Sequence, residues 1–90
     1  MHFKYTAGKP HGAPKDTAGL TCLEFKSYDP DGNLLYEGNT WGACIAKGMR
    51  WIRDNPARGA KKKDPEMIHL WAKSRKTGEW WEVCQLYGKL

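Results

Sequence analysis

Apolar and polar residues alternate along two stretches of this chain and follow a helical period between them. Across residues 20–28, Leu23 and Phe25 fall on one side, and Cys22, Glu24, Lys26 and Tyr28 on the other. That two-residue period is the signature of a half-buried strand. Asp29-Pro30-Asp31-Gly32 follows and makes a tight turn: Pro30 presets φ, and Gly32 accepts the positive φ that other residues resist. Leu34-Leu35-Tyr36-Glu37 returns as a second strand, completing a hairpin.

The period then changes. Trp41, Cys44, Ile45, Gly48 and Ile52 share one helical face, whereas Lys47, Arg50 and Arg53 occupy the other. Thr40 precedes this run as an N-cap, with a hydroxyl able to accept a free backbone N–H, and Asn55-Pro56 stops it. Gly48, in the middle of the buried face, costs about 1 kcal/mol of helix propensity. The expected compensation is a helix lying close on a sheet. Residues 56–66, centred on Lys61-Lys62-Lys63, offer little to bury and read as an irregular connection.

Two more strands are predicted, at 67–74 and 79–87, joined by Arg75-Lys76-Thr77-Gly78. The order strand, strand, helix, strand, strand predicts an α+β fold: a four-stranded antiparallel sheet with one helix on one face. Residues 1–19, rich in Gly, Pro, Ala, Thr and Lys, are expected to form an irregular N-terminal arm, and 20–90 the single domain. Alternation of Phe3 and Tyr5 with His2 and Lys4 leaves room for a short edge strand at the start.

One helix covers only one face. Leu23, Phe25, Leu35, Ile68, Leu70 and Ala72 are expected beneath it. Lys26, Tyr28, Tyr36, His69, Trp71 and Lys73 then belong to the far face, with Trp80 or Trp81 according to a turn register that the sequence leaves open. The arm, a second copy of the chain, or a partner could cover this aromatic and basic surface.

Composition sharpens the picture. Ninety residues allow one domain with a thin core, which disfavours an enzyme-sized cleft. Five Trp are many for that length, and Trp serves cores and binding surfaces alike. No apolar run approaches the length of a membrane span, and the first residues have no signal-peptide pattern, so a cytoplasmic protein is expected. The net charge of +5 is uneven: residues 47–76 carry ten basic and three acidic side chains, and the flanking segments are slightly acidic. Such a concentration attracts anionic partners, nucleic acid first among them.

Recognisable catalytic patterns do not occur. No Gly-rich phosphate loop is present, and Ser27 and Ser74 sit in no nucleophile motif. Cys22, Cys44 and Cys84 are odd in number and unpaired in spacing, which reads as three buried thiols rather than a disulfide or zinc framework. His11, in a Gly/Pro stretch, reads as solvated. No metal or cofactor is expected. The segment 38–52, Gly-Asn-Thr-Trp-Gly-Ala-Cys-Ile-Ala-Lys-Gly-Met-Arg-Trp-Ile, resembles the strand-to-helix segment of HicB-type antitoxins. It departs from that family in its basic helix surface, and the resemblance carries no function over.

These readings converge on a small, non-enzymatic basic binding protein. Nucleic-acid phosphates would meet Lys47, Arg50 and Arg53 on the helix, Arg58 and Lys61 to Lys63 in the connection, and Lys73, Arg75 and Lys76 at the second hairpin. Tyr28, Tyr36, His69 and Trp71 would stack on bases or anchor a partner. The alternative is a protein-binding inhibitor or adaptor of the phage or mobile-element type, anti-CRISPR-like in size and build, whose basic surface meets an acidic patch on a larger protein. Homodimerisation through the outer sheet face is a further expectation.

Overall fold

The computed structural model describes residues 1–8, 10 and 12–90; Lys9 and His11, and with it the expectation for His11, lie outside the described residues. The elements are β1 (His2–Tyr5), β2 (Phe25–Tyr28), β3 (Leu34–Gly38), α1 (Trp41–Asp54), α2 (Pro56–Gly59), β4 (Ile68–Lys73) and β5 (Trp80–Lys89). The fold is α+β, with α1 packed on one face of an antiparallel sheet. The sheet has five strands rather than four, in the order β1-β5-β4-β2-β3. The extra strand is the short edge strand for which the alternation of His2 to Tyr5 left room: β1 pairs with the end of β5, setting Phe3 opposite Gly88 and Tyr5 opposite Leu86. Its partner, at the opposite end of the chain, leaves no local sequence signal.

The helix has the buried face its spacing predicts. Trp41, Cys44, Gly48 and Ile52 are buried, over Phe25, Ile68, Leu70, Ala72, Cys84 and Leu86 from the sheet. Phe25 and Trp41 meet with ring centroids 5.3 Å apart, tilted by 52°, a favourable aromatic geometry. At Gly48 an added Cβ would sit 3.0 Å from Ile68 Cγ2 and 3.1 Å from Leu86 Cδ2. Glycine there permits the close approach of helix and sheet. Thr40 occupies the N-cap position in extended geometry, but its hydroxyl caps nothing; its backbone N–H instead donates to the Tyr36 hydroxyl at 3.1 Å. Asn55 closes the helix, its side-chain amide donating to the Trp51 carbonyl at 2.9 Å. The connection that follows is partly helical: α2 begins on Pro56, and a Cβ added at Gly59 would lie 3.1 Å from the Ile52 side chain of α1.

Both turns follow the sequence reading, with Gly32 and Gly78 at positive φ. The first is held by Asp29, whose Oδ1 accepts from the N–H groups of Asp31 and Asn33, each at 2.9 Å.

Two bulges and one departure from the sheet explain the side chains that the alternation misplaced. Residues 20–24 are not a strand. Cys22 donates its N–H to the Pro14 carbonyl at 2.9 Å, so Cys22 is buried and Leu23, expected in the core, is 54% exposed. The β2–β3 register shifts between Ser27, opposite Tyr36, and Tyr28, opposite Leu34. Leu35 is skipped as the extra residue, and Tyr36 shares the helix-side face with the buried Ser27. Tyr36 therefore does not join the outer face. A second shift, between Leu70 and Trp71, skips Val83, sets Glu82 opposite Trp71 and Trp80 opposite Lys73, and turns Trp81 to the helix side with Ala72. A bulge reverses the in–out parity of every residue beyond it.

The arm has a fixed course near its end. Asp16 Oδ1 accepts from the N–H groups of Ala18 and Leu20, and Oδ2 from the Ser74 hydroxyl and the N–H groups of Arg75 and Lys76, all within 3.2 Å. One carboxylate thus pins residues 16–20 to the β4–β5 turn. Burial alone would push this carboxyl up, but the backbone donors and Ser74 outweigh it and hold it below its ordinary range.

Candidate nucleic-acid interface

Antiparallel partners point their side chains to the same side of a sheet. On the face away from α1, His69 stands between Tyr28 and Gln85, and Trp71 between Lys26 and Glu82. Lys73 stands beside Trp80, and Lys4 beside Tyr87. Tyr28, His69, Trp71, Trp80, Lys26, Glu82 and Gly32 line an open groove of about 500 Å³. Among the described residues none of the arm lines it: Phe3 lies on the helix side, under the Arg53 guanidinium at 5.2 Å, and Tyr5 packs against the core.

The groove has both rings and polar groups. Lys26 Nζ sits 4.4 Å from the Trp80 ring centroid, a cation–π contact that holds the ammonium at the rim. His69 Nδ1 meets Glu82 Oε1, and Gln85 donates to Glu82 Oε2 at 3.1 Å. This chain fixes the imidazole plane and leaves Nε2 without a hydrogen-bond partner among the described residues. His69 and Glu82 side chains are 35% and 30% exposed, and Lys73 Nζ lies 3.5 Å from Glu24. Comparison of the chain with family models, curated proteins and solved structures finds no match. The site therefore rests on its own geometry.

The basic residues singled out in the sequence do not form one patch. Lys47, Arg50 and Arg53 are exposed on the outward side of α1, Arg50 only 4.0 Å from Asp54. Lys61, Lys62 and Lys63 are exposed in the loop after α2. Lys73 lies on the opposite face of the sheet. Arg75 and Lys76 lie in the β4–β5 turn, where Arg75 Nη1 donates to the Thr21 carbonyl at 3.3 Å. Arg58 is committed elsewhere: its guanidinium grips Glu66 at 2.8 Å and Asp31 at 2.8 Å, above the Trp51 ring. Hydrogen bonds to Glu66 and then Asp31 raise its pKa further. This clamp ties the β2–β3 turn to the loop before β4 and leaves no free fork for a phosphate.

Of the expected stacking residues, the structure brings together Tyr28, His69 and Trp71, and sends Tyr36 to the other side. Sequence reading missed Glu82 and Gln85 as partners of His69 and could not choose Trp80. All three hang on the bulge at Val83, which the run Trp-Trp-Glu-Val-Cys does not betray. The thiols are remote from this chemistry. Burial pushes Cys44 up to about 12 and raises Cys84 and Cys22 as well, so none is a ready nucleophile. Among the described residues no helix is long and apolar enough to cross a membrane.

Proposed function

We propose that the protein binds single-stranded nucleic acid on the open face of its sheet. The observation that carries this reading is the groove itself: Tyr28, Trp71 and Trp80 around a fixed imidazole, with Lys26 in its lining and Lys73 beside Trp80 by register. Bases offer a π-face to such rings whatever their sequence, and lysines at the margin meet the phosphates. A duplex keeps its bases stacked inside and cannot use the rings, so single strands are preferred. The Gln85–Glu82–His69 chain gives the floor one oriented polar group among otherwise apolar walls, suited to a base edge or a ribose hydroxyl.

The outer face carries few cations, which fixes the expected salt response. Lys4, Lys26, Lys73 and Lys89 lie on it by register. Neutralising about two to four phosphates predicts a log–log salt slope of about −1.5 to −3 for a single strand. The ten basic residues of 47–76 acting together would give about −7. Fluorescence anisotropy with labelled single-stranded and duplex oligonucleotides across a salt series distinguishes the two. Trp71→Ala, with its fold verified by circular dichroism, should weaken single-strand binding by about 1–3 kcal/mol, roughly five- to 150-fold. Equal binding of wild type and Trp71→Ala, or no binding of single strands at low salt, sinks the proposal. The second outcome would turn the groove into a candidate surface for a protein partner.

A further inference from the structure

Six of the cations that the groove does not use lie on α1 and in the loop after α2. Lys47, Arg50 and Arg53 recur every third residue on the outward side of α1. α2 doubles back against Ile52, and Ala60 after it bridges to Gly88 of β5, so Lys61, Lys62 and Lys63 leave from the end of the sheet that lies under the last turn of α1. Asp54 and Asp64 are the acids within residues 47–54 and 61–64, against those six cations. The neighbouring Arg58 clamp is occupied by its two carboxylates.

The α1 cations are separated from the groove by the whole thickness of the molecule, α1 lying on one side of the sheet and the groove on the other. The smallest extent of the Cα trace is 18 Å, before either layer of outward side chains is added. The Debye length at physiological ionic strength is about 8 Å. A phosphate seated in the groove therefore gains almost nothing from Lys47, Arg50 or Arg53. Their combined field is available to a different anion.

We propose that the outward face of α1 and the 61–63 loop form a second nucleic-acid site, which takes the phosphate backbone of a duplex without sequence choice. One molecule then holds a single strand on one face and a duplex on the other. Among the described residues the helix face presents cations, and the rings nearest them are already covered: Phe3 lies under Arg53, and Trp51 under Arg58. It can neutralise phosphates and cannot stack bases, which suits a duplex rather than an open strand. This proposal builds on the single-strand reading for its bridging step, but the duplex contact stands without it.

The test is a two-strand capture. A single-stranded oligonucleotide is immobilised and saturated with protein, and the retention of a labelled duplex is measured. Wild type should retain duplex, with a log–log salt slope of about −5 for six contacts. The variant K47E/R50E/R53E should hold the immobilised strand within twofold of wild type and retain at least tenfold less duplex. These side chains are exposed, so the fold should persist; K47Q/R50Q/R53Q serves if reversal disturbs it. Undiminished duplex capture by the charge variants overturns the proposal, because capture would then run through the groove of a second copy. Absence of duplex capture by wild type overturns it equally. Trp71→Ala separates the two readings. If it leaves single-strand binding intact, the groove reading fails, while loss of duplex binding in K47E/R50E/R53E would still support the helix site.

Discussion

Replacing a glycine by alanine in α1 should have opposite consequences at two positions, and the difference follows from geometry. Alanine is favoured over glycine in a helix by about 1 kcal/mol. At Gly42, in the exposed first turn, nothing lies within 4 Å of an added Cβ, so Gly42→Ala should gain about half to all of that amount. At Gly48 the same atom would stand 3.0 Å from Ile68 Cγ2 and 3.1 Å from Leu86 Cδ2, against an optimum of about 3.5–4.0 Å between carbons. Ile68 and Leu86 are both fully buried, and Ile68 is stiff at χ1. Neither can yield without moving its neighbours, and overpacking of this kind costs about 1–3 kcal/mol. The propensity gain of about 1 kcal/mol offsets part of it, leaving Gly48→Ala about 0–2 kcal/mol less stable than wild type. Urea unfolding with a common m-value reads the difference directly. In a domain of this size, 1 kcal/mol moves Tm by about 4–8 °C. The reasoning fails if Gly48→Ala matches or exceeds Gly42→Ala in stability.

Other outcomes follow from the arm and the core. The Asp16 carboxyl sits below its ordinary value of 3.8, so its stabilisation is present above that value and disappears as pH falls through the lower folded-state pKa. Asp16→Asn should lower Tm at neutral pH and shallow the acid limb of the stability profile; an unchanged acid limb would contradict the pinning role. The limb should not vanish, because Asp31 and Glu66 in the Arg58 clamp are also held low. All three thiols are free and buried, so iodoacetamide near neutral pH should label none in the native protein and all three after denaturation; rapid native labelling of Cys44 would refute its burial. Ser27 Oγ is buried and has no partner of good hydrogen-bond geometry among the described residues, only a weak interaction with the Cys44 thiol, so Ser27→Ala should leave stability unchanged or slightly raised, as checked by the same urea titration.

Locally encoded features were legible in the chain. The α1 boundaries, its buried face, both glycine turns and the close approach at Gly48 all follow from residues within a few positions of one another. The groove was half legible: Tyr28, His69 and Trp71 lie where alternation puts them. Tyr36 and Leu23 do not, and the choice between Trp80 and Trp81 stayed open, because parity arguments hold only between irregularities. The skipped residues Leu35 and Val83 are apolar and look like ordinary strand residues. Non-local features were invisible for a different reason. β1 finds its partner at the far end of the chain, Asp16 finds Ser74 to Lys76, and Arg58 finds Asp31 from beyond β3 and α1. Concentrated charge in residues 47–76 suggested one patch, whereas the fold divides it between opposite sides of the sheet and neutralises Arg58 within it.

The most direct test of the single-strand reading is a titration of ¹⁵N-labelled protein with a short single-stranded oligonucleotide, followed by amide and indole shifts. Binding in the groove predicts changes at Lys26, Tyr28, His69, Trp71 and Glu82 and at the Trp80 indole N–H, with Lys47 to Arg53 unmoved. Shifts confined to α1 and residues 61–63, or no shifts at all, would contradict it.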